Sequence, residues 1–457
     1  MQDDPPESDA PRIPTRAAGS GFSSATRRSP GDSRQPLQNE APHGAARTPT
    51  GRSPADAGPH LEKGVRRALT LIGGEIHVQG SPTVTGPLRA VLSDLELEPV
   101  DTLTHGFHTY PARLHPAIPR RLLERFAAPG DVVLDPFCGG GTTVVEAMVH
   151  GCRAVGTDIN PVALRIARVR TARWPEARID AFVETARALS DEAFRDARKR
   201  IAPPLGPIAR EQGAWYSPHV LLELQGLHQR IQALEPDELR ELALMTFSSI
   251  LVKVSRQVSD TRLAVTERQV GRGTASKLFG KRAEELGLRL KDLAAAVRPG
   301  TSPAVLRQAD ARAMPGPDRS VDLIITSPPY VGTYNYASHQ DRRFDWLGED
   351  PTFALTHEIG ARRHADDPRQ AWLEDEWRML DEMARVLRPG GRVFLVSGDG
   401  LLVDRPYFVD REIGRLAEDA GLRLMGIASQ SRPHVNERIS QAFGTQPRRE
   451  HLIALRK

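Results

Sequence analysis

Short apolar runs and helical spacings alternate along most of this chain. Candidate strands begin at Val132, Ala154, Val305, Val321, Arg392, Leu422 and Leu452. Between most of them, apolar residues recur three and four positions apart, which is typical of amphipathic helices. Strands that alternate with helices in this way predict a doubly wound α/β fold with a seven-stranded, mostly parallel sheet. The last two strands suit an antiparallel edge of that sheet.

The pattern changes between residues 174 and 300, where helical spacing continues without a convincing strand. Helices are predicted over Val220–Ile231, Pro236–Val258 and Ala275–Val297. A helical block inside a sheet indicates an inserted subdomain. Residues 62–173 and 301–457 are therefore predicted to form the first and second parts of one sheet domain. Residues 1–61 are rich in Pro, Gly, Ser, Ala and Arg and lack apolar periodicity, so we expect a disordered tail.

Composition narrows the class of protein. With 457 residues, the chain has room for two or three domains. No apolar run approaches the length that spans a membrane, and the acidic, proline-rich start shows no secretory signal. The two cysteines, Cys138 and Cys152, suggest neither a disulfide framework nor a metal cluster. We therefore expect a cytoplasmic protein without a structural metal.

The formal net charge of +4 is too mild to indicate a nucleic-acid partner by itself. Residues 426–457, however, carry six Lys or Arg against two Asp or Glu, and further basic side chains lie within residues 253–262 and after residue 330. The candidate contacts to nucleic-acid phosphates are Lys253, Arg256, Arg262, Arg342, Arg343, Arg432 and Arg438. The plain alternatives are a solvated basic terminus and the polar end of a helical hairpin.

The stretch from residue 132 to 161 carries the clearest chemistry. A strand over Val132–Leu134 ends at Asp135, three glycines follow at Gly139–Gly141, and a helix then begins at Thr142. A glycine loop between strand and helix lets backbone N–H groups approach a ligand closely. Asp158 ends the next strand about twenty residues on, where an acidic side chain suits a pair of ribose hydroxyls. These features predict a nucleoside-cofactor site at the carboxyl edge of the sheet.

Two common nucleotide motifs are excluded at this loop. The glycines are followed by Thr143, Val144 and Val145, which do not match the dinucleotide fingerprint, and no Gly-Lys-Ser/Thr of a phosphate-binding loop follows. The plain alternative is a glycine turn that only lets a helix pack on a strand.

Two motifs resemble those of a known family. The residues DPFCGGGTT at 135–143 are similar to motif I of the S-adenosylmethionine-dependent DNA amino-methyltransferases, and Thr326-Ser327-Pro328-Pro329-Tyr330 is similar to their catalytic motif IV. The resemblance covers roughly residues 103–170 and 305–457, and it implies a class I methyltransferase fold. The long insertion between the motifs resembles the alpha arrangement, whose target-recognition region lies there. The insertion is thus either a reader of DNA sequence or a structural cap.

The resemblance also implies how the cofactor, S-adenosylmethionine, is held. A segment like His115-Pro116-Ala117-Ile118-Pro119 closes over its methionine end in the family, Asp158 accepts from the ribose and Asp310 accepts from the adenine amine. The implied cofactor contacts are His115, Pro116, Asp135, Pro136, Phe137, Cys138, Gly139, Gly141, Thr142, Asp158, Ile159, Asp310 and Ala311. An ordinary N-terminal helix is the alternative interpretation of residues 115–126.

The second motif suits methylation of an exocyclic amine, whose lone pair is delocalised into the base. The Ser327 hydroxyl and the Pro328 carbonyl are placed to accept its two N–H groups, Pro329 keeps the turn rigid, and Tyr330 is placed to stack on an extruded base. In the family, serine in the first place goes with cytosine N4, whereas Asp or Asn goes with adenine N6. Carbon-5 methylation needs a cysteine nucleophile, and neither cysteine is suitably placed.

The sequence therefore predicts a cytosine-N4 DNA methyltransferase that flips its base and transfers the methyl group directly. An adenine-N6 enzyme, an RNA amino-methyltransferase and a catalytically silent DNA-binding protein remain the alternatives. The expected partner is double-stranded DNA, and the resemblance leaves room for a cognate restriction endonuclease. No membrane partner is expected.

Overall fold

The computed structural model describes residues 74–111, 113–199, 201, 204–260, 262–332, 336–360, 366–434 and 436–457. All of them lie in one compact unit. The predicted disordered tail, residues 1–61, lies outside the described residues, and so does the side chain of Arg262. Both stay predictions.

Strands and helices alternate along the described chain. The strands are β1 (Ile76–Gly80), β2 (Val132–Asp135), β3 (Arg153–Asp158), β4 (Gln257–Ser259), β5 (Arg262–Val265), β6 (Val305–Gln308), β7 (Val321–Thr326), β8 (Leu387–Gly398), β9 (Gly400–Leu402), β10 (Arg405–Tyr407), β11 (Arg423–Arg432) and β12 (Arg448–Arg456). The helices are α1 (Pro82–Leu92), α2 (Ala117–Phe126), α3 (Thr142–His150), α4 (Pro161–Arg170), α5 (Glu176–Lys199), α6 (Pro207–Glu211), α7 (Pro218–Gln232), α8 (Asp237–Leu251), α9 (Thr274–Ala296), α10 (Asp341–Leu347), α11 (Thr352–His357), α12 (Pro368–Val386), α13 (Val409–Asp419) and α14 (Glu437–Phe443). None of these helices is long and apolar enough to cross a membrane.

One large sheet organises the part of the chain that the structure describes. Its eight strands lie in the order β1-β11-β12-β8-β7-β2-β3-β6. The five strands from β8 to β6 are parallel, while β12 is antiparallel to both its neighbours and β1 is antiparallel to β11. The predicted doubly wound α/β fold with a mostly parallel sheet is confirmed, and all seven predicted strands are present.

The eighth strand, β1, adds an edge that the sequence pattern did not predict. It pairs with β11 from Ile76 opposite Gln430 to Gly80 opposite Gly426. None of its five residues is buried. A solvent-facing edge strand carries little apolar signal, which explains why its pattern predicts no strand.

The central strands are buried because helices cover both faces of the sheet. All four residues of β2 are buried, and β7 is buried except for Asp322. Apolar residues of α2 and α3, such as Ile118 and Val145, share one core with Val133 of β2 and Leu323 of β7. Strands buried on both faces give near-continuous apolar runs, which is the pattern the sequence showed.

The helical insertion shares its core with the sheet domain. Phe182, Phe247 and Phe279, on three of its helices, pack in one cluster with Ile166 of α4 and Trp346 of α10. The prediction that the insertion is wholly helical was wrong, because β4 and β5 form an antiparallel hairpin after α8. Side chains of α10, which is remote in sequence, bind residues of this hairpin. Contacts between distant residues therefore stabilise the hairpin, and local apolar periodicity does not reveal them.

Candidate functional site

A cavity lies where the carboxyl ends of β7, β2, β3 and β6 meet. The chain passes from β2 to β3 and β6 on one side and then returns to β7 on the other. Such a reversal of direction is where open α/β sheets bind ligands. The cavity and its open mouth together hold about 990 Å³ of space outside the protein atoms.

The cavity joins the two motifs. Its lining includes most of the predicted cofactor residues and four of the five residues of the second motif: Asp135, Pro136, Phe137, Cys138, Gly139, Thr142, Asp158, Ile159, Asp310, Ala311, Ser327, Pro328, Pro329 and Tyr330. Asp158 and Tyr330, at the ends of different strands, therefore face one shared space. The predicted contacts His115, Pro116 and Gly141 do not line it.

The glycine loop is shaped by its backbone. Gly139 and Gly141 have φ angles of +48° and +83°, which side chains rarely adopt. A Cβ on Gly139 would lie 3.2 Å from the Tyr110 ring, which covers the loop. Behind the loop, the buried guanidinium of Arg170 donates to the Gly140 carbonyl at 3.0 Å and to the carbonyls of residues 105, 107 and 108. The loop is thus held in place before any ligand binds.

Asp158 is fixed at the end of β3 by backbone donors. Its two carboxylate oxygens accept from the N–H groups of Gly139 and Asn160, each at 2.8 Å. Asn160 in turn accepts from Val162 N–H and caps α4, which fixes the turn after the strand. Burial raises the pKa of Asp158 to about 6, although these backbone hydrogen bonds favour the charged form.

Asp135 occupies the matching place at the end of β2. It is 4% exposed and accepts from Phe137 N–H at 3.1 Å and from the Thr326 hydroxyl at 2.6 Å. The second contact links β2 directly to the residue that precedes Ser327 on β7. Burial raises the pKa of Asp135 to about 6 as well. Two carboxyl groups with raised pKa values therefore line the cofactor side of the cavity.

Asp310 has a partner within the protein that sequence reasoning missed. Both of its carboxylate oxygens accept from the Arg312 guanidinium, at 3.0 and 2.7 Å. Arg312 also donates to Asp375 of α12 at 2.6 Å and to the His357 carbonyl at 2.7 Å. This network fixes the loop after β6 against α11 and α12.

The catalytic motif lies on the opposite side of the cavity. Ser327 and Pro329 are half-buried, whereas Pro328 and Tyr330 are buried. The Tyr330 hydroxyl donates to Glu450 of β12 at 2.6 Å. The motif therefore presents a hydroxyl, a proline turn and an aromatic ring to the cavity, with the ring anchored from behind.

Several residues that line the cavity carried no sequence signal. Tyr110, Arg113 and Leu114 come from the segment just before the predicted His115-Pro116 contact. The residues of this segment that line the cavity therefore lie a few positions before the predicted ones. His115 itself is fully buried. Glu358 also lines the cavity and accepts from Tyr336 N–H at 2.6 Å. A lone glutamate in a polar loop offers no motif by which to find it.

Two of the predicted DNA contacts, Arg342 and Arg343, are wrong because both side chains are buried. Arg342 and Arg343 are 6% and 1% exposed. The Arg342 guanidinium stacks 3.6 Å from the centre of the Trp215 ring and bonds to Gln257, while Arg343 pairs with Asp260. They join α10 to the β4–β5 hairpin and are not available to phosphates. Basic side chains on a short helix gave no sign of this interior role.

Three of the other described candidates remain on or near the surface. Lys253 and Arg256 are half-buried at the base of the β4–β5 hairpin. Arg438 is exposed and pairs with Asp404. The Arg432 side chain is only 11% exposed and lies beside Tyr330 and Glu450. DNA contact stays a prediction for the first three, and Arg432 belongs to the interior of the catalytic side.

The two cysteines, Cys138 and Cys152, lie in the interior. Both are buried and free. Burial raises the pKa of Cys138 well above its ordinary value and that of Cys152 to about 11. Because the thiolate is the nucleophile, these thiols are poorly suited to attack a base.

The residues present fit a nucleoside cofactor with a charged amino-acid part. Gly139 of the left-handed glycine loop and Tyr110 line the cavity, Asp158 offers carboxylate lone pairs at the end of β3, and the more buried Asp135 lines the same cavity. Carboxylates accept from ribose hydroxyls and from an ammonium group.

Comparison with known proteins agrees with this geometry. A family model described as DNA methylase, N6_N4_Mtase, matches residues 87–169. The type II methyltransferase M.MvaI of Kocuria varians is 26% identical over 250 residues, which are 50% of this chain and 53% of that protein. M.MjaII of Methanocaldococcus jannaschii is 37% identical over 70 residues, 15% of this chain and 13% of that protein. The chain thus spans about half the length of the first relative and a smaller part of the second.

Solved structures align only weakly. TrmN from Thermus thermophilus aligns with a TM-score of 0.29 at 14% identity, over 75% of this chain and 49% of that one. A SAM-dependent methyltransferase from Methanosarcina mazei gives 0.29 at 13% identity, over 77% and 99%. Scores this low support no argument about function. The family match is the informative one, because residues 87–169 contain the whole glycine loop and the aspartate that ends β3. Residues 87–169 match the family of N6/N4 DNA methylases, and the chain is similar to type II methyltransferases over the aligned parts.

Proposed function

We propose that this protein is a DNA methyltransferase that moves a methyl group from S-adenosylmethionine to the N4 amine of cytosine in double-stranded DNA. One observation carries the proposal: the glycine loop with Asp158 and the motif from Ser327 to Tyr330 line the same cavity. A binding module has no need of such a joint cavity, which argues against a catalytically silent DNA-binding protein.

The cofactor side holds and orients the methyl donor. Asp158 accepts from the ribose hydroxyls, and Asp135 with the amides of the glycine loop holds the methionine part. Both carboxylate oxygens of Asp310 accept from Arg312. Each oxygen has a second lone pair, and the proposed hydrogen bond from the adenine amine uses one of these. When bound, S-adenosylmethionine would supply a sulfonium methyl group: the N–CH3 bond would form as the S–CH3 bond breaks, S-adenosylhomocysteine would leave, and the amine proton would pass to solvent water.

The catalytic side prepares the amine. The Ser327 hydroxyl and the Pro328 carbonyl accept its two N–H groups and draw the nitrogen towards a tetrahedral geometry, which exposes its lone pair. Pro329 fixes the turn that aims the carbonyl. Tyr330 stacks on the extruded base. Positioning of this kind accounts for most of the rate gain when the reaction is a direct displacement.

The side chain at position 327 supports cytosine over adenine. A serine hydroxyl is a neutral acceptor, and in this family it accompanies cytosine N4 more often than adenine N6. The relatives M.MvaI and M.MjaII are named as type II methyltransferases, which supports DNA as the substrate. A paired restriction endonuclease is a further proposed partner, which the family resemblance implies.

The helical insertion is the proposed reader of the DNA target. Its β4–β5 hairpin is joined to α10, which follows the catalytic motif in the chain, so the hairpin lies on the catalytic half of the molecule. Lys253 and Arg256 at the base of this hairpin are the proposed phosphate contacts, with Arg438 on α14 a further one.

Nucleoside mass spectrometry tests the proposal. Purified protein is incubated with labelled S-adenosylmethionine and, in parallel, with unmethylated DNA or with RNA, and each nucleic acid is digested to nucleosides. N4-methylcytosine is the expected product. N6-methyladenine would replace the base assignment with the adenine alternative, and label found only in RNA substrates would reassign the polymer.

A further inference from the structure

The turn that joins β9 to β10 holds two side chains in a left-handed backbone conformation. Leu402 pairs with Arg405, so the turn consists of Val403 and Asp404. Their φ angles are +49° and +65°. Two-residue turns of this kind favour asparagine and glycine. A β-branched residue such as valine rarely adopts a positive φ, because its side chain crowds the backbone there, so this conformation costs the fold free energy.

The Val403 side chain gains little from the fold in return. It is 59% exposed at the tip of the hairpin, and an apolar side chain contributes stability only through the surface that it buries. Backbone strain is a feature of sites that act on other molecules. An exposed, strained and apolar tip therefore indicates contact with something outside the protein.

The hairpin is built directly on the catalytic motif. A Cβ on Gly400 of β9 would overlap the carbonyl oxygen of Val331, and a Cβ on Gly332 would overlap the carbonyl oxygen of Leu401. The backbone of β9 is thus in close contact with the residues that follow Tyr330. Because a strand advances about 3.3 Å per residue, the tip of the hairpin lies within about 10 Å of this contact.

The base of the hairpin is anchored from two sides. Tyr407 of β10 is buried and donates its hydroxyl to Glu376 of α12. Shortly after β10, the N–H of Val409 donates to the buried carboxylate of Asp399 at 2.9 Å. A tip on so firmly held a base keeps its position when another molecule presses against it.

We propose that Val403 enters the DNA duplex beside the target base and occupies the space that the extruded base leaves. The inference rests on the proposed methylation of an extruded cytosine and deepens it. Extrusion breaks the pairing and stacking of the base. An apolar side chain that wedges between base steps takes over part of the lost stacking contact and so favours the extruded state.

Cationic side chains flank the tip. Arg405, the residue after the turn, is exposed, and the side chain of Arg438 on α14 is 69% exposed. Arginines at these places suit contacts with the phosphates beside an opened base step. Asp404 would by itself repel phosphates, but its carboxylate accepts from Arg438 at 2.7 Å. The tip therefore combines an apolar wedge with phosphate contacts.

Single-turnover methylation of two DNA duplexes by the full chain tests the proposal. Both duplexes carry the target site that sequencing of the methylated DNA identifies. In one the target cytosine faces guanine, and in the other it faces an abasic residue, so that no base pair must break. Val403→Gly should be about 10-fold slower than wild type on the first duplex and within about twofold of it on the second, because the wedge assists only extrusion.

Two controls accompany these rates. The dissociation constant for S-adenosylmethionine should be the same in Val403→Gly as in wild type. Leu97→Ala removes another exposed apolar side chain, one that is 79% exposed after α1, and should match wild type on both duplexes.

The melting temperature separates the wedge from a structural role. Glycine adopts a positive φ without strain, so Val403→Gly should melt at or above the temperature of wild type while it methylates the paired duplex more slowly. Val403→Asn places a polar side chain that also tolerates this conformation. It should be slowed in the same way, and it carries the test if the glycine variant does not fold.

The outcomes distinguish this role from the proposed function. Val403→Gly at the wild-type rate on the paired duplex, or equally slowed on both duplexes, overturns the wedge while DNA methylation stands. A melting temperature below that of wild type would show that Val403 serves the fold, and it overturns the inference as well. A wild-type protein that methylates neither duplex overturns the proposed function and this role with it.

Discussion

The affinity for S-adenosylmethionine should depend on pH in a way set by two carboxyl groups. Burial raises the pKa values of Asp135 and Asp158 to about 6 in the ligand-free site. Cofactor hydroxyl and ammonium groups donate hydrogen bonds and need the ionised carboxylates as acceptors. Affinity should therefore be full near pH 8 and be lost as the pH falls through about 6. At pH 5 a group with a pKa of 6 is about one-tenth ionised, so each carboxylate lowers the affinity about tenfold.

Calorimetric titration of the cofactor at pH 5 and pH 8, with and without Asp158→Asn, measures this directly. Wild type should weaken between about 10- and 100-fold at pH 5, according to whether one carboxylate or both must ionise. Asp158→Asn should bind about 10- to 100-fold more weakly at pH 8, because a hydrogen bond to a charged group contributes about 1.5–3 kcal/mol. It should also lose about tenfold of the pH dependence. Equal affinity at both pH values, or the full wild-type pH dependence in Asp158→Asn, would show that these carboxylates do not bind the cofactor. Circular dichroism at each pH confirms that the protein is folded.

Three further changes have defined outcomes. Gly140→Ala places a Cβ 2.6 Å from the buried guanidinium of Arg170 behind the loop and should lower the free energy of unfolding by about 1–3 kcal/mol. The control Gly213→Ala, whose Cβ meets nothing within 4 Å, should leave the melting temperature unchanged. Burial raises the pKa of Glu376 to about 7. The stability that its protonated form contributes is therefore lost as the pH rises through 7. Because glutamine stays neutral, Glu376→Gln should melt at a higher temperature than wild type at pH 8 but not at pH 5. Replacing Lys253 and Arg256 by alanine should reduce the slope of log affinity for DNA against log salt by about 1.8.

The parts of the site that sequence reasoning predicted are those in which neighbouring residues determine the geometry. The glycine loop and Asp158 sit at strand ends within one βαβ unit, and the order of strands brings the end of β7 beside them. Parallel strands that are buried on both faces of the sheet appear in the sequence as apolar runs. The cavity and its two motifs could therefore be expected before the structure was known.

The parts that it missed depend on contacts between distant residues. Glu450 reaches Tyr330 across 120 positions of sequence, and a single glutamate within an apolar strand gives no sign of its partner. In the sequence, Arg342 and Arg343 look like surface residues, but in the structure they are buried against the β4–β5 hairpin. Tertiary burial reversed their predicted role, because an arginine that finds a carboxylate or an aromatic ring can be stabilised in the interior.

The central claim is that one cavity brings a methyl donor to a cytosine amine held by Ser327. The most direct test is nucleoside mass spectrometry of DNA treated with wild-type protein and with Ser327→Ala. The wild type should produce N4-methylcytosine, and the variant should lose about 30-fold or more of the yield, equal to about 2 kcal/mol of transition-state stabilisation. A wild-type product without N4-methylcytosine, or an equal yield from Ser327→Ala, would contradict it.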